Sequence, residues 1–334
     1  MLTRRRLLAS LAGCSLAAAG FVPARAGVVA DPLGTLRRSS NEPLLRPQGT
    51  GFESAGVFNP AAVKTGDGTV LLYRAQDAAG TSRIGYAKNT DGIHFERRPQ
   101  PVLSPVAPYE AEGGVEDPRL VLIDGTYYMT YTAYNSIAKT AQLCLATSKD
   151  LIDWTRQGVT LPANQGTWNV HWTKSGAIIP QQIGGRWFMY YLGEANENPP
   201  AQMGLAVSDD LIHWKDATPE PVLHTRVHWF DSRVVEPGPA PLVLDEGILL
   251  IYNGADDDLV YSIGWALFDR NDPAKLLARS PEPAFRAEQP WERVGQVPSV
   301  VFVEGLIRDE ERLMLYYGAA DKYIGLATTF LRAT

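Results

Sequence analysis

Ile84-Gly85-Tyr86-Ala87 recurs as Leu143-Cys144-Leu145-Ala146, Met203-Gly204-Leu205-Ala206, Ile263-Gly264-Trp265-Ala266 and Ile324-Gly325-Leu326-Ala327. The five alanines stand 59, 60, 60 and 61 residues apart. A fixed period of this size marks a chain built from repeated supersecondary units. An aromatic-rich stretch lies ahead of each signature, as in Tyr128-Met129-Thr130-Tyr131 and Phe188-Met189-Tyr190-Tyr191. Three signatures are followed by similar turn text, Asp91 to Phe95, Asp150 to Trp154 and Asp210 to Trp214. Short β-rich segments between Gly, Asp and Pro turns are strands, and no long stretch has helical periodicity. Five units of four short strands predict an all-β fold, a five-bladed β-propeller with four-stranded antiparallel blades.

The ends of the chain predict how the ring closes. The last repeat stops soon after Ala327 and lacks the text Pro101-Val102-Leu103 or Pro221-Val222-Leu223 that follows earlier repeats. Glu42-Pro43-Leu44-Leu45 carries it instead. Residues 41–47 are therefore expected to supply the outer strand of the last blade, which removes an open sheet edge. Residues 41–334 then form one propeller domain, with 27–40 as an N-terminal extension.

The first 26 residues read as an export signal. Thr3-Arg4-Arg5-Arg6 contains a twin-arginine pair, residues 7–20 are mildly apolar, and Ala24-Arg25-Ala26 is a small-residue cleavage site. The expected location is the periplasm or the exterior. Leu11-Ala12-Gly13-Cys14 offers a rival reading, a lipid anchor at Cys14. Either way Cys144 is left alone, and its apolar neighbours make it a small core residue.

With 45% apolar and 20% charged residues, the chain is not disordered, and two cysteines exclude a disulfide scaffold. A net charge of −6 argues against a nucleic-acid partner, and no later apolar run is long enough to span a bilayer.

Polar residues gather where the first strand of each repeat is expected and just after its aromatic strand. They include Asn59 and Arg74 in the first repeat, Glu116, Asp117 and Arg119 in the second, Lys174 and Glu194 in the third, Glu236 and Asn253 in the fourth and Asp321 in the fifth. Charges sharing one cavity are unfavourable unless paired or used. Several carboxylates with Arg and Lys between them suit glycoside cleavage, where one carboxyl acts as acid and another as base or nucleophile. A metal site fits less well, because the interleaved cations compete with a metal ion and only five histidines are present. Neither a metal nor a cofactor is expected. The recurring Asp91, Asp150 and Asp210 read as blade turns, and residues 256–258 as a solvated acidic loop.

Phe58-Asn59-Pro60-Ala61, Leu71-Leu72-Tyr73-Arg74, Gly114-Val115-Glu116-Asp117-Pro118-Arg119 and Tyr316 to Asp321, in this order, resemble glycoside hydrolase family 130. The resemblance runs through roughly residues 45–330 and implies a five-bladed propeller acting on β-mannosides. Most studied members are phosphorylases; a smaller group hydrolyses β-1,2-mannosides with inversion. The resemblance makes Asp117 the catalytic acid, relaying its proton through a sugar hydroxyl. It places Asn59, Arg74, Arg119 and Asp321 around the mannose as substrate-binding residues, with Lys174 in the same cavity.

The phosphorylases carry a His-Arg pair after the third aromatic strand, where this chain has Leu192-Gly193-Glu194. They carry Tyr-His-Gly in the fourth blade, where it has Tyr252-Asn253-Gly254. A carboxylate near phosphate repels it, whereas near water it can take a proton. The resemblance to the hydrolytic group assigns Glu194 and Glu236 to the activated water, with Glu197 as an alternative to Glu194. The expected activity is therefore inverting hydrolysis of β-1,2-linked manno-oligosaccharides. Phosphorolysis to mannose 1-phosphate and a non-catalytic glycan-binding propeller are the alternatives.

Overall fold

The glycine of each repeat signature answers to a tyrosine on the neighbouring strand. Tyr73, Tyr191, Tyr252 and Tyr317 stand opposite Gly85, Gly204, Gly264 and Gly325, and Tyr131 stands opposite Cys144. A Cβ on Gly85 or Gly325 would lie 2.4 Å from the ring of its tyrosine. Each ring thus crosses a strand that has no side chain beneath it, and Cys144 holds the second copy of this position as a small, buried residue.

The computed structural model describes residues 30–91, 93–163, 168–195 and 200–332. The expected export signal lies outside them. Asp31–Thr334 forms one unit. Its described part is all-β, apart from two short helical turns at Pro108–Glu110 and Pro290–Arg293.

The strands fall into five antiparallel groups. The first is Gly56–Thr65, Gly68–Gln76, Ser82–Asn89 and Glu96–Arg97. The second is Glu112–Ile123, Thr126–Asn135, Thr140–Ser148 and Thr155–Leu161. The third is Trp172–Ile178, Trp187–Glu194, Gln202–Ser208 and Lys215–Asp216. The fourth is Val234–Pro237, Ile248–Ala255, Tyr261–Phe268 and Leu276–Arg279, with Leu242–Val243 as an extra strand. The fifth is Val301–Asp309, Arg312–Ala319 and Tyr323–Phe330, and its fourth strand, Arg37–Arg38, comes from the other end of the chain. A single parallel bridge, Ser82 to Gly114, joins the first two groups into one sheet.

Apolar side chains alternate along each strand and fill both faces. Leu72 packs with Met129 and Tyr131 of the second group, while Leu71 and Tyr73 pack with Tyr316 and Leu326 of the fifth. Other clusters join the second group to the third, the third to the fourth and the fourth to the fifth. The core is thus a cycle of layers between consecutive groups, and the last layer returns to the first group.

Each tyrosine hydroxyl is also tied to a buried acid. Tyr73 donates to Glu53 at 2.8 Å, Tyr131 to Glu110 at 3.0 Å, Tyr252 to Asp231 at 2.7 Å and Tyr317 to Glu292 at 2.7 Å. A cation from the outer strand meets each acid: Arg97, Arg156, Arg279 and Arg38 respectively. The third group inverts the order. Asp216 of its outer strand takes the Tyr191 hydroxyl, and Asn169 from the preceding loop completes the set.

The N-terminal segment closes the fifth group in two places. The regular strand is Arg37–Arg38, inside the segment read as an extension, and the expected residues 41–47 meet the same strand through Leu45 and Ile324. The Pro-Val-Leu text marks a later feature, an isolated bridge. Leu103 bridges Ile84, Leu223 bridges Met203, and Leu45 bridges Ile324. The outer strand itself is specified by the arginine that must reach the buried acid. The Asp91, Asp150 and Asp210 turns are as expected, each carboxylate capping backbone amides two and three residues on.

Arg38→Ala should leave Glu292 buried without its cation and lower unfolding free energy by about 3 kcal/mol. Arg37→Ala, on an exposed neighbour, should change it by less than about 0.5 kcal/mol. Urea denaturation of the two variants checks the difference.

Candidate active site

Bulges in the first strands place the polar residues. The pairing register shifts between Phe58 and Pro60, between Glu116 and Arg119, between Lys174 and Ala177 and between Val303 and Gly305. The extra residues are Asn59, Asp117 with Pro118, Ser175 with Gly176, and Glu304. A bulge re-aims a side chain that strict alternation would bury between sheets. Proline suits these positions because it has no ladder hydrogen bond to give. Asn59, Asp117, Ser175 and Asp321 all have positive φ, between 47° and 63°. Such conformations are unfavourable for residues with a Cβ and cluster at functional sites. Gly318 leaves room for Asn59, since a Cβ there would lie 2.1 Å from the Asn59 Oδ1.

Asn59, Arg74, Glu116 and Asp117 form one buried cluster. Asn59 Nδ2 donates to Asp117 Oδ1 at 2.9 Å. Arg74 bridges two acids, with Nη2 2.6 Å from Glu116 Oε1 and Nη1 3.3 Å from Asp117 Oδ1. Its Nε donates to Ser82 Oγ at 3.0 Å, and its guanidinium lies 4.8 Å from the centre of the Phe58 ring. Asn59 Oδ1 is buried and accepts no hydrogen bond.

The adjacent acids respond differently to this environment. Burial, reinforced by the Asp117 charge, pushes the Glu116 carboxyl up to about 7 although Arg74 opposes it. Burial acts upward on Asp117 too, but Arg74, Lys174 and the Asn59 hydrogen bond outweigh it and hold that carboxyl below the usual range. Below about pH 7 a proton held by this pair therefore resides on Glu116 rather than Asp117. Asp321 shares the field of Arg74 and Asp117, and burial pushes it up to about 6.

Lys174 links this cluster to a second one. Lys174, Glu194, Arg233, Glu236 and Tyr261 line a cavity of about 160 Å³ together with Trp172 and Leu259. Lys174 Nζ lies 3.6 Å from Glu236 Oε1, and the Ser175 hydroxyl donates to the same oxygen. Burial raises Glu194, assisted by Glu236, against the opposing charges of Lys174, His171 and Arg233. A larger cavity of about 520 Å³, beside Arg186 and Asp272, gathers none of the predicted residues.

Seven of the eight predicted site residues thus share these two clusters. Arg119 does not. It is buried behind them, with its guanidinium on the backbone carbonyls of Asp117, Pro237 and Gly238. Glu197 lies outside the described residues. Ser175, Tyr261, Arg233 and a role for Glu116 were not anticipated. Tyr261 opens an ordinary third strand and carries no textual mark, whereas Glu116 sits beside Asp117 in a motif already singled out. Asn253 also turns from the cavity: its amide pairs with both backbone groups of Val303, at 2.8 and 3.0 Å.

A family model described as beta-1,4-mannooligosaccharide phosphorylase matches residues 36–333, so the chain belongs to glycoside hydrolase family 130. A 1,2-beta-oligomannan phosphorylase of Thermoanaerobacter sp. (strain X514) is 39% identical, over 87% of this chain and 96% of its own. A solved structure reported with the glycoside hydrolases of the family that target beta-1,2 mannosidic linkages in Candida mannan is 34% identical. It has a TM-score of 0.81 and covers 90% of this chain and 94% of its own. The beta-1,2-mannobiose phosphorylase of Listeria innocua, solved with beta-1,2-mannobiose, is 25% identical with a TM-score of 0.78. It covers 88% of this chain and 96% of its own.

The raised Glu116 carboxyl has a consequence for stability. The folded protein holds this proton up to about pH 7, while the unfolded chain releases it near 4.5. Between these values the native state binds more protons, so stability falls as pH rises. Glu116→Gln should remove that contribution, and its stability should gain on wild type between pH 4.5 and 7 in paired melting curves.

Proposed function

We propose that this chain is an exported, inverting β-mannoside hydrolase acting on β-1,2-linked manno-oligosaccharides, and that its five strand groups are the blades of a propeller with the site at one end of the channel. The observation that carries the reaction type is the pair of carboxylates, Glu194 and Glu236, lining one cavity beside Lys174. A phosphate in that cavity would meet two negative groups, whereas a water would meet two bases. Asn253, at the position of a phosphorylase histidine, has its amide engaged by the backbone of Val303.

In this reading Asp117 supplies the proton to the leaving oxygen through a sugar hydroxyl. Asn59 and Arg74 hold its carboxyl in place, and the vacant acceptor on Asn59 takes a hydroxyl of the mannose. Asp321 and Lys174 bind the same sugar. Asp117 is ionised without substrate, so its pKa must rise on binding. A sugar that expels water strengthens desolvation, already the largest upward influence on this group. Glu236 or Glu194 takes the proton of the attacking water. Inversion requires the acid and base carboxyls about 6.5–9.5 Å apart, with water between. The twin-arginine signal places the enzyme outside the cytoplasm, in the periplasm or beyond.

Phosphorolysis is the second reading. Lys174 and Arg233 both line the cavity, and the relative that is 39% identical is a phosphorylase.

Product analysis with β-1,2-mannobiose separates them. Hydrolysis predicts free mannose at the same rate with and without phosphate, the first-formed sugar being the α-anomer. Mannose 1-phosphate formed only with phosphate would overturn it. Asp117→Asn should reduce turnover by at least about 1,000-fold if it transfers the proton, while mannobiose still binds in calorimetry.

A further inference from the structure

Asp117 and Glu236 belong to the second and fourth strand groups, and no backbone ladder joins their strands, Glu112–Ile123 and Val234–Pro237. Their separation is therefore left to side chains that cross between the groups. Arg119 makes such a crossing. Nη1 donates to the backbone oxygen of Asp117 at 3.2 Å. Nη2 donates to Pro237 O at 2.7 Å, and Nε to Gly238 O at 2.9 Å. Pro237 directly follows Glu236, so one rigid guanidinium grips the chain at one carboxylate and just beyond the other. Glu304, at the bulge of the fifth group, places Oε1 3.0 Å from Arg119 Nη1. Both residues are about 2% exposed, so neither meets solvent or sugar.

We infer that Arg119, backed by Glu304, is a positioning residue that sets the distance between the Asp117 and Glu236 carboxyls. This rests on the hydrolase reading above. Only a planar fork of donors reaches carbonyls on two strands at once; an ammonium on a flexible stem does not. Burial and the nearby Asp117 and Glu236 charges push Glu304 well above the usual carboxylate range. What position 304 offers Arg119 is thus a polar oxygen at ion-pair distance, outside hydrogen-bond geometry. Glutamine keeps a side chain of the same shape with that oxygen, and leucine does not.

The test uses full-length protein with Arg119→Lys, Glu304→Gln and Glu304→Leu. A misplacement near 1 Å costs on the order of 100-fold in turnover. Arg119→Lys and Glu304→Leu should each lose about that factor in kcat on β-1,2-mannobiose with KM within about threefold, while Glu304→Gln stays within about threefold of wild type. A wild-type kcat in Arg119→Lys, or equal losses in Glu304→Gln and Glu304→Leu, would overturn the inference. If Arg119→Lys fails to fold, the two Glu304 variants decide it. If wild type does not cleave mannobiose, the hydrolase reading fails, and the inference is judged on crystal structures of wild type and Glu304→Leu. A change of about 0.5 Å or more in the Asp117–Glu236 carboxyl separation supports it, and an unchanged separation overturns it.

Discussion

A carboxylate taken out of water must find a cation or several donors, and this rule is applied in sheet after sheet. The tyrosine hydroxyls alone do not neutralise Glu53, Glu110, Asp231 and Glu292, so an arginine must arrive from each outer strand. Replacing a buried ion pair with apolar residues is often harmless, but removing one partner is not. The arrangement therefore adds specificity more than net stability. It states which outer strand belongs to which group, and in the fifth group it requires Arg37–Arg38 to lie beside Tyr323–Phe330. The third group shows that polarity is free to reverse, with Asp216 outside and Asn169 inside, provided that the tyrosine keeps its acceptor.

The same chain handles charge differently at the first strands. Bulges and positive φ values turn Asn59, Asp117 and Ser175 out of the alternating pattern, and the acids they expose are only partly compensated. Arg74 is shared by two carboxylates, and Lys174 by Glu236 and the field of Asp117. Incomplete neutralisation is a penalty for the empty fold and an advantage for chemistry, because a carboxyl near its titration point is able to give or take a proton.

Much of this was legible in the sequence because repetition amplifies it. A glycine opposite a tyrosine, an alanine two residues on and an aspartate at the turn become a signal when they return about every 60 residues. Asp117, Asn59 and Glu236 were legible because each stands in the polar text at the start of a repeat; Asn59 and Asp117 prove to sit at bulges, while Glu236 pairs in regular register. Residues 41–47 meet the last strand at Ile324, but the regular strand at Arg37–Arg38 was not legible because it carries no apolar pattern; its identity depends on reaching Glu292, 254 residues away. Arg119 lies two residues from Asp117 in a motif that points to the cavity, yet its side chain turns back into the protein. Strand alternation does not survive a bulge, so the motif alone could not show which way it points. Tyr261 and Arg233 reach the cavity from positions with no distinctive text.

The Arg38–Glu292 contact also bears on how the chain reaches its native state. The entropy of closing a loop grows only logarithmically, so joining the two ends adds little to the equilibrium cost. The kinetic cost is larger, since contacts this distant in sequence form late. Four of the strand groups can assemble from local hairpins as the chain emerges, but the fifth waits for the N-terminal segment. Until then Tyr323–Phe330 presents an unpaired edge, and Glu292 is a desolvated acid without its cation. The ring is therefore most prone to self-association just before it closes, and conditions that slow docking of the N-terminal segment, rather than those that weaken the core, should govern how much protein is lost to aggregation.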